Sequence, residues 1–147
     1  IGRRLERALQ VANLLDAALA RTSQEEDGGE VEPCLELLLQ IADSAITYRT
    51  RHLTDVRTEY VLELLMEDEA NPRSVLFQLA EMRTQISTLP DRDGGASPIH
   101  PPVMRETLRL YTELAISEPR AVSPERMREL SRAIGALSDL IDTAYFR

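Results

Sequence analysis

The stretch SPERMRELSRAIGALSDLIDTA, residues 123–144, decides the fold class. It opens on Ser123 and Pro124. A serine hydroxyl can accept from a first-turn amide, and proline gives up an amide that has no helical partner at that position. Met127, Leu130, Ile134, Leu137, Ile141 and Ala144 then recur at intervals of three and four residues, the period of a helix with one apolar face.

The same grammar extends upstream. Pro101-Pro102 opens a helix with Met104, Leu108, Tyr111 and Ala115 on one face, and residues 90–102, rich in proline with a Gly-Gly pair, read as a loop. Asn71-Pro72 reads as an asparagine cap with proline behind it, leading the stripe Val75, Leu79, Met82, Ile86 and Leu89. Thr54 or Asp55 can cap a short helix running to about residue 67. Pro33 suits the start of an apolar helix from 34 to about 53. The first helix carries Ile1, Leu5, Ala8, Ala12, Leu15 and Leu19 and ends in an acidic, glycine-containing loop at 23–30. No segment alternates with period two over a strand's length. The expectation is one all-α domain over residues 1–147, an antiparallel bundle of five or six helices.

Composition bounds the function. A chain of 147 residues can bury a core without disulfides, and its single cysteine, Cys34, sits in an apolar helical run where it reads as a small hydrophobe in a reducing compartment. No apolar run is long enough for a membrane span, so the expected location is the cytoplasm, without membrane attachment. The net charge of −8 argues against nucleic-acid binding. All 17 basic residues are arginine, which excludes a phosphate-loop lysine and Schiff-base chemistry on this chain. His52 and His100 share no ligand-like spacing, and no motif calls for a metal or cofactor. Ile1 already stands in the apolar register of the first helix. The chain therefore reads as a piece cut from a longer polypeptide, or as one that has lost its upstream residues, with an uncovered apolar end that would favour self-association into a homo-oligomer.

Several polar residues stand out. On a continuous helix from 34 to 53, Arg49 points away from Glu36, Gln40, Asp43, Thr47 and Thr50 and lies among Leu38, Ala42, Ala45 and Leu53. A guanidinium there needs a carboxylate: Glu6, Asp43, Glu63 or Asp68 could serve, with Glu6 and Asp68 favoured. The other reading is that the helix ends earlier and Arg49 reaches solvent. Arg3, Glu6, Arg7, Gln10 and Asn13 fall opposite the apolar stripe of the first helix, and read from pattern alone they are a solvated face with helical charge pairs. Residues 71–74, Asn-Pro-Arg-Ser, place an arginine beside the amides of a helix start, which could hold an anion but is more simply an ordinary cap.

Ile1-Gly2-Arg3-Arg4-Leu5-Glu6-Arg7-Ala8, Ile41-Ala42-Asp43-Ser44 leading to Tyr48-Arg49-Thr50-Arg51, Val61-Leu62-Glu63-Leu64-Leu65 with Asp68, Asn71-Pro72-Arg73-Ser74-Val75 with Phe77-Gln78-Leu79, and the ending Tyr145-Phe146 form a spaced set. In this set the chain resembles the C-terminal half of the bacterial alpha-E family. The resemblance implies an intracellular helical domain of unsettled function. Such domains occur beside or fused behind circularly permuted ATP-grasp proteins, and in the company of transglutaminase-like proteins and proteasome-related peptidases. It carries over Arg3, Glu6, Arg7, Tyr48, Arg49, Arg51, Asp68, Asn71 and Arg73 as a polar or anion-binding cluster. Two positions depart from the family pattern: Glu63 stands where aspartate is usual, and Ala70 where an acidic residue is usual. A related Gly-Arg-x-x-Glu-Arg segment that begins the family's first half is not in this chain.

Three functions compete. The chain is an accessory or interaction domain for an ATP-grasp peptide ligase, a domain whose Glu/Arg/Tyr cluster binds or acts on a peptide carboxylate or phosphate, or a purely structural module. Convergence of Glu6, Tyr48, Arg49 and Arg73 on one cleft would favour the second; separate, self-satisfied pairs would favour the first or third.

Overall fold

The computed structural model describes residues 1–23, 31–89, 101–118 and 122–147. They form seven α-helices: α1 Gly2–Thr22, α2 Val31–Ile41, α3 Ala45–Arg51, α4 Thr58–Leu62, α5 Val75–Ser87, α6 Pro101–Ala115 and α7 Pro124–Tyr145. A π-helical turn, Glu63–Glu67, continues α4. No strand occurs among the described residues, and no helix there is long and apolar enough to cross a membrane. The fold is all-α.

α1, α5, α6 and α7 make the bundle. Ile1, Gly2 and Leu5 at the start of α1 share an apolar cavity of about 740 Å³ with Gln85 to Leu89 at the end of α5 and Ile141 to Phe146 at the end of α7. α1 therefore runs antiparallel to both. Glu113 near the end of α6 meets Arg126 near the start of α7, so that pair is antiparallel too. The stripe read in α7 is buried throughout, and that of α1 is joined by Val11 and Ala18. Ser123 caps α7 by accepting from the Arg126 amide at 3.2 Å. In α6 the predicted face is displaced. Val103, Met104, Thr107, Leu110 and Leu114 are buried, while Leu108 and Ala115 are exposed. Thr107 can enter the core because its hydroxyl is satisfied by the Val103 carbonyl at 2.9 Å.

The single helix expected from 34 to 53 is two. α2 ends in a Schellman closure: the Ser44 amide bonds the Leu39 carbonyl at 2.8 Å and the Asp43 amide bonds Gln40 at 3.0 Å, with Asp43 in the left-handed region at φ 52°. α3 then starts on a new axis. Its sole buried side chain is Tyr48, whose hydroxyl donates to the Asp55 carbonyl and accepts from the Arg57 amide, both at 3.1 Å. The next helix accordingly begins at Thr58, and Thr54 and Asp55 lie in the loop that Tyr48 organises. His52 closes this loop from the side, stacked on Tyr60 with centroids 4.5 Å apart and tilted against Tyr48 at 5.0 Å.

Asn71 does not cap α5. Ser74 does, accepting from the Phe77 amide at 3.0 Å and donating to the Asp68 carbonyl at 2.5 Å. Asn71, 3% exposed, donates instead to the Leu64 carbonyl at 2.8 Å and accepts the Arg73 amide at 3.1 Å in an Asx turn. It thus ties the π turn to the start of α5. The amides of Arg73 and Phe77 are used in these bonds, so neither is a free donor at this helix start. Gln78, fully buried, completes the join by donating to the Pro72 carbonyl at 2.6 Å.

Two predictions follow from this packing. Tyr48→Phe leaves the Asp55 carbonyl and Arg57 amide without their shared partner and should cost about 1–3 kcal/mol in urea unfolding. Glu67 is half-buried and accepts from Ser117 at 2.6 Å. Burial pushes its carboxyl above the ordinary value, the Ser117 hydroxyl opposes this, and nearby Glu63 adds to it. A raised acid contributes stability that is complete below the unfolded value of 4.5 and lost as pH rises through the folded value. Glu67→Gln should therefore gain stability over the parent at neutral pH, and the gain should shrink as the solution is acidified toward 4.5.

Candidate functional site

The polar face of α1 is solvated as its pattern predicts: Arg3, Glu6, Arg7, Gln10 and Asn13 are all exposed. The Arg3–Glu6 helical pair does not form, and the side chains of Arg3, Glu6 and Arg7 have no ion pair or hydrogen bond among the described residues. From Arg7 onward this face turns into a cleft of about 140 Å³ lined by Arg7, Gln10, Val11, Leu14, Ile41, Ala42, Asp43, Pro72 and Arg73. Three elements meet there: the middle of α1, the closure of α2, and the Asx turn. Asp43 ion-pairs Arg73 across it. A shallow groove with Glu6, Leu9 and Asn13 runs on from the cleft along α1, sharing Gln10 and Leu14 with it.

A second group lies at the far end of α3. Arg51 ion-pairs Asp68, whose side chain is only 14% exposed and also accepts the Ala70 amide at 2.9 Å. The two ion pairs bracket α3, Asp43 just before it and Arg51 as its last residue, and fasten it to the turn over 68–74. Tyr48 and Arg49 belong to a third place, a cleft of about 200 Å³ between α2 and the loop, whose lining also includes Glu32, Glu36 and Asp55.

Glu6, Tyr48, Arg49 and Arg73 thus do not share one centre. Glu6 and Arg73 lie along one continuous surface, while Tyr48 is committed to the loop and Arg49 stands apart. The buried pair expected for Arg49 is overturned: Arg49 is exposed, Asp68 is taken by Arg51 and Asp43 by Arg73. The reading that the helix ends early and Arg49 meets solvent holds, because the left-handed Asp43 resets the helical phase. Leu53 was placed on the same apolar side and is 96% exposed.

Sequence reasoning missed three participants. Asp43 was read as one polar residue of a continuous helix; nothing in its identity signals a left-handed turn as a glycine would. Gln10 is on the solvated face as its pattern predicts, but it also lines the cleft. Arg4 was passed over beside Arg3, yet it reaches across to α5, bonding Glu81 at 3.1 Å and Gln78 at 3.4 Å over the Phe77 ring. Among the described residues no group of three or more His, Cys, Asp or Glu is placed to hold a metal ion, and His100 lies outside those residues.

The different surroundings of the two arginines give a paired prediction. Arg49→Ala should stay within about 0.5 kcal/mol of the parent, as surface substitutions do. Asp68→Ala strips both Arg51 and the Ala70 amide of their acceptor and should cost about 1 kcal/mol or more, discounted for the half-exposed arginine. Urea unfolding of both variants checks the order.

With this geometry in hand, comparison with known proteins is informative. No solved structure matches the chain. Uncharacterized proteins of Mycobacterium bovis and Mycobacterium tuberculosis are 32% identical to it over 98 residues, 67% of this chain. The matched region spans only 11% of the length of those relatives. A family model for Alpha-E, described as a predicted alpha-helical domain with a conserved ER motif, matches residues 1–146. Glu-Arg occurs here as Glu6-Arg7, at the mouth of the cleft, and again as Glu125-Arg126 at the start of α7. By a match that takes in both its helical architecture and all but its last residue, the chain belongs to the Alpha-E family.

Proposed function

We propose that the chain is a non-catalytic interaction domain, an accessory to a bacterial peptide-modifying system of the kind run by ATP-grasp ligases. The observation that carries this reading is the dispersal of the polar cluster. Arg51–Asp68 and Asp43–Arg73 are structural pairs that hold α3, Tyr48 is buried in loop hydrogen bonds, and Arg49 stands in a separate cleft. An acid–base or nucleophilic centre needs its groups within hydrogen-bonding reach of one reacting atom, and this arrangement offers no such set.

A second feature supports interaction over a purely structural role. Leu37, Ile41, Ile46 and Leu53 are large apolar residues on α2, α3 and the residues just after them, and all are exposed, Ile46 by 83%. Exposed large apolar side chains of this kind can mark an interaction surface. The ATP-grasp protein is the expected partner on family grounds, with a transglutaminase-like protein as the alternative.

The test is purification of the tagged full-length protein from its bacterial host, with mass spectrometry of what accompanies it. A circularly permuted ATP-grasp protein should co-purify, and Ile46→Ser with Leu53→Ser should reduce its yield without lowering stability. ATP hydrolysis or peptide turnover by the purified chain alone would overturn the reading.

A further inference from the structure

We infer that the cleft between Arg7 and Arg73 is a carboxylate-binding site for the free acid end of a peptide or amino acid that carries an apolar side chain. The inference rests on the interaction reading only in naming a peptide as the source of the carboxylate.

The chain carries a net charge of −8, yet the cleft itself presents two guanidiniums against one carboxylate, with the exposed Glu6 outside it in the connected groove. Arg73 is oriented by Asp43, whereas Arg7 has no partner among the described residues. A planar fork with its donors unspent, beside a second fork already held in place, suits the two oxygens of a carboxylate. The backbone points the same way. Asp43 sits at φ 52°, a conformation that glycine or asparagine takes more easily, and non-glycine residues held there cluster at binding sites. The Schellman closure needs a left-handed residue but not an aspartate. The aspartate is what sets Arg73.

The rest of the lining selects the ligand. Val11, Leu14, Ile41 and Ala42 give an apolar wall next to the guanidiniums, and Ile41 is itself 53% exposed. A hydrated inorganic anion gains nothing from that wall; a carboxylate flanked by an aliphatic side chain does. The volume of about 140 Å³ takes a carboxylate and part of one side chain. The connected groove along Leu9 and Asn13 continues in the direction a peptide would leave, with the Gln10 amide at the junction able to donate to or accept from a peptide group.

The test is a heteronuclear NMR titration of the chain with N-acetyl-leucine, N-acetyl-leucinamide and inorganic phosphate. The free acid should shift the resonances of Arg7, Ile41 and Arg73 saturably, and the amide should not. Arg7→Gln should weaken binding about tenfold, the scale of one charge-assisted contact. Asp43→Asn, which tolerates the left-handed backbone but loses the charge that sets Arg73, should weaken it as well. Circular dichroism confirms that each variant is folded, and Arg7 has no partner whose loss would unfold the chain. Equal shifts from acid and amide, or binding indifferent to Arg7→Gln, would overturn the inference. Saturation by phosphate with N-acetyl-leucine silent would overturn the carboxylate assignment in favour of a phosphate site. Co-purification of the ATP-grasp protein with no acid binding would leave the accessory reading standing and remove this one.

Discussion

When the Ser44 amide reaches back to the Leu39 carbonyl, α2 ends and the chain turns through a left-handed Asp43. Much of what distinguishes this molecule from a plain bundle depends on that closure. It starts α3 on a fresh axis, so Tyr48 becomes its single buried residue while Arg49 and Leu53 swing outward. It brings the Asp43 carboxylate within reach of Arg73, and with it one wall of the cleft facing α1. A glycine would close α2 with less strain. Aspartate closes it and adds a charge, so one residue serves both local geometry and the surface it creates.

The bundle was legible because its helices announce themselves. α7 combines a Ser-Pro start with an unbroken apolar stripe, and every residue of that stripe is buried. α1 is nearly as plain. Legibility fails where side chains answer to tertiary rather than local partners. Asn71 has the sequence appearance of a cap, but its amide group is used by the Leu64 carbonyl at the π turn, and Ser74 takes over the capping three residues later. Thr107 is polar and yet fully buried, because it can bond back along its own helix. The face of α6 was therefore misplaced by a fraction of a turn.

The candidate site was legible in kind but not in arrangement. The residues carried over by family resemblance include the two arginines of the cleft, and the matched segments do meet in space: Arg7 from α1, Arg73 from the Asx turn. What no periodicity could supply is their partners. Arg51 rather than Arg49 takes Asp68, a choice fixed by the phase reset at Asp43 and invisible from a helix drawn continuously from 34 to 53. Arginine serves throughout as the long arm that joins elements: Arg4 to α5, Arg51 and Arg73 across α3, and Arg126 between α6 and α7. Most of these pairs are open to water and contribute orientation more than stability.

α3 deserves to be considered as a mechanical part. It is held by one buried aromatic ring, the ring stack behind it and an ion pair at each end, while the bundle beneath is sealed by apolar residues from four helices. An element secured at so few points has its own opening equilibrium, set by those points and not by the core. High salt weakens both end pairs at once and leaves the aromatic anchor untouched. The molecule is thus built as an apolar-sealed bundle with a small flank joined to it at few points, and that flank carries the exposed Ile46.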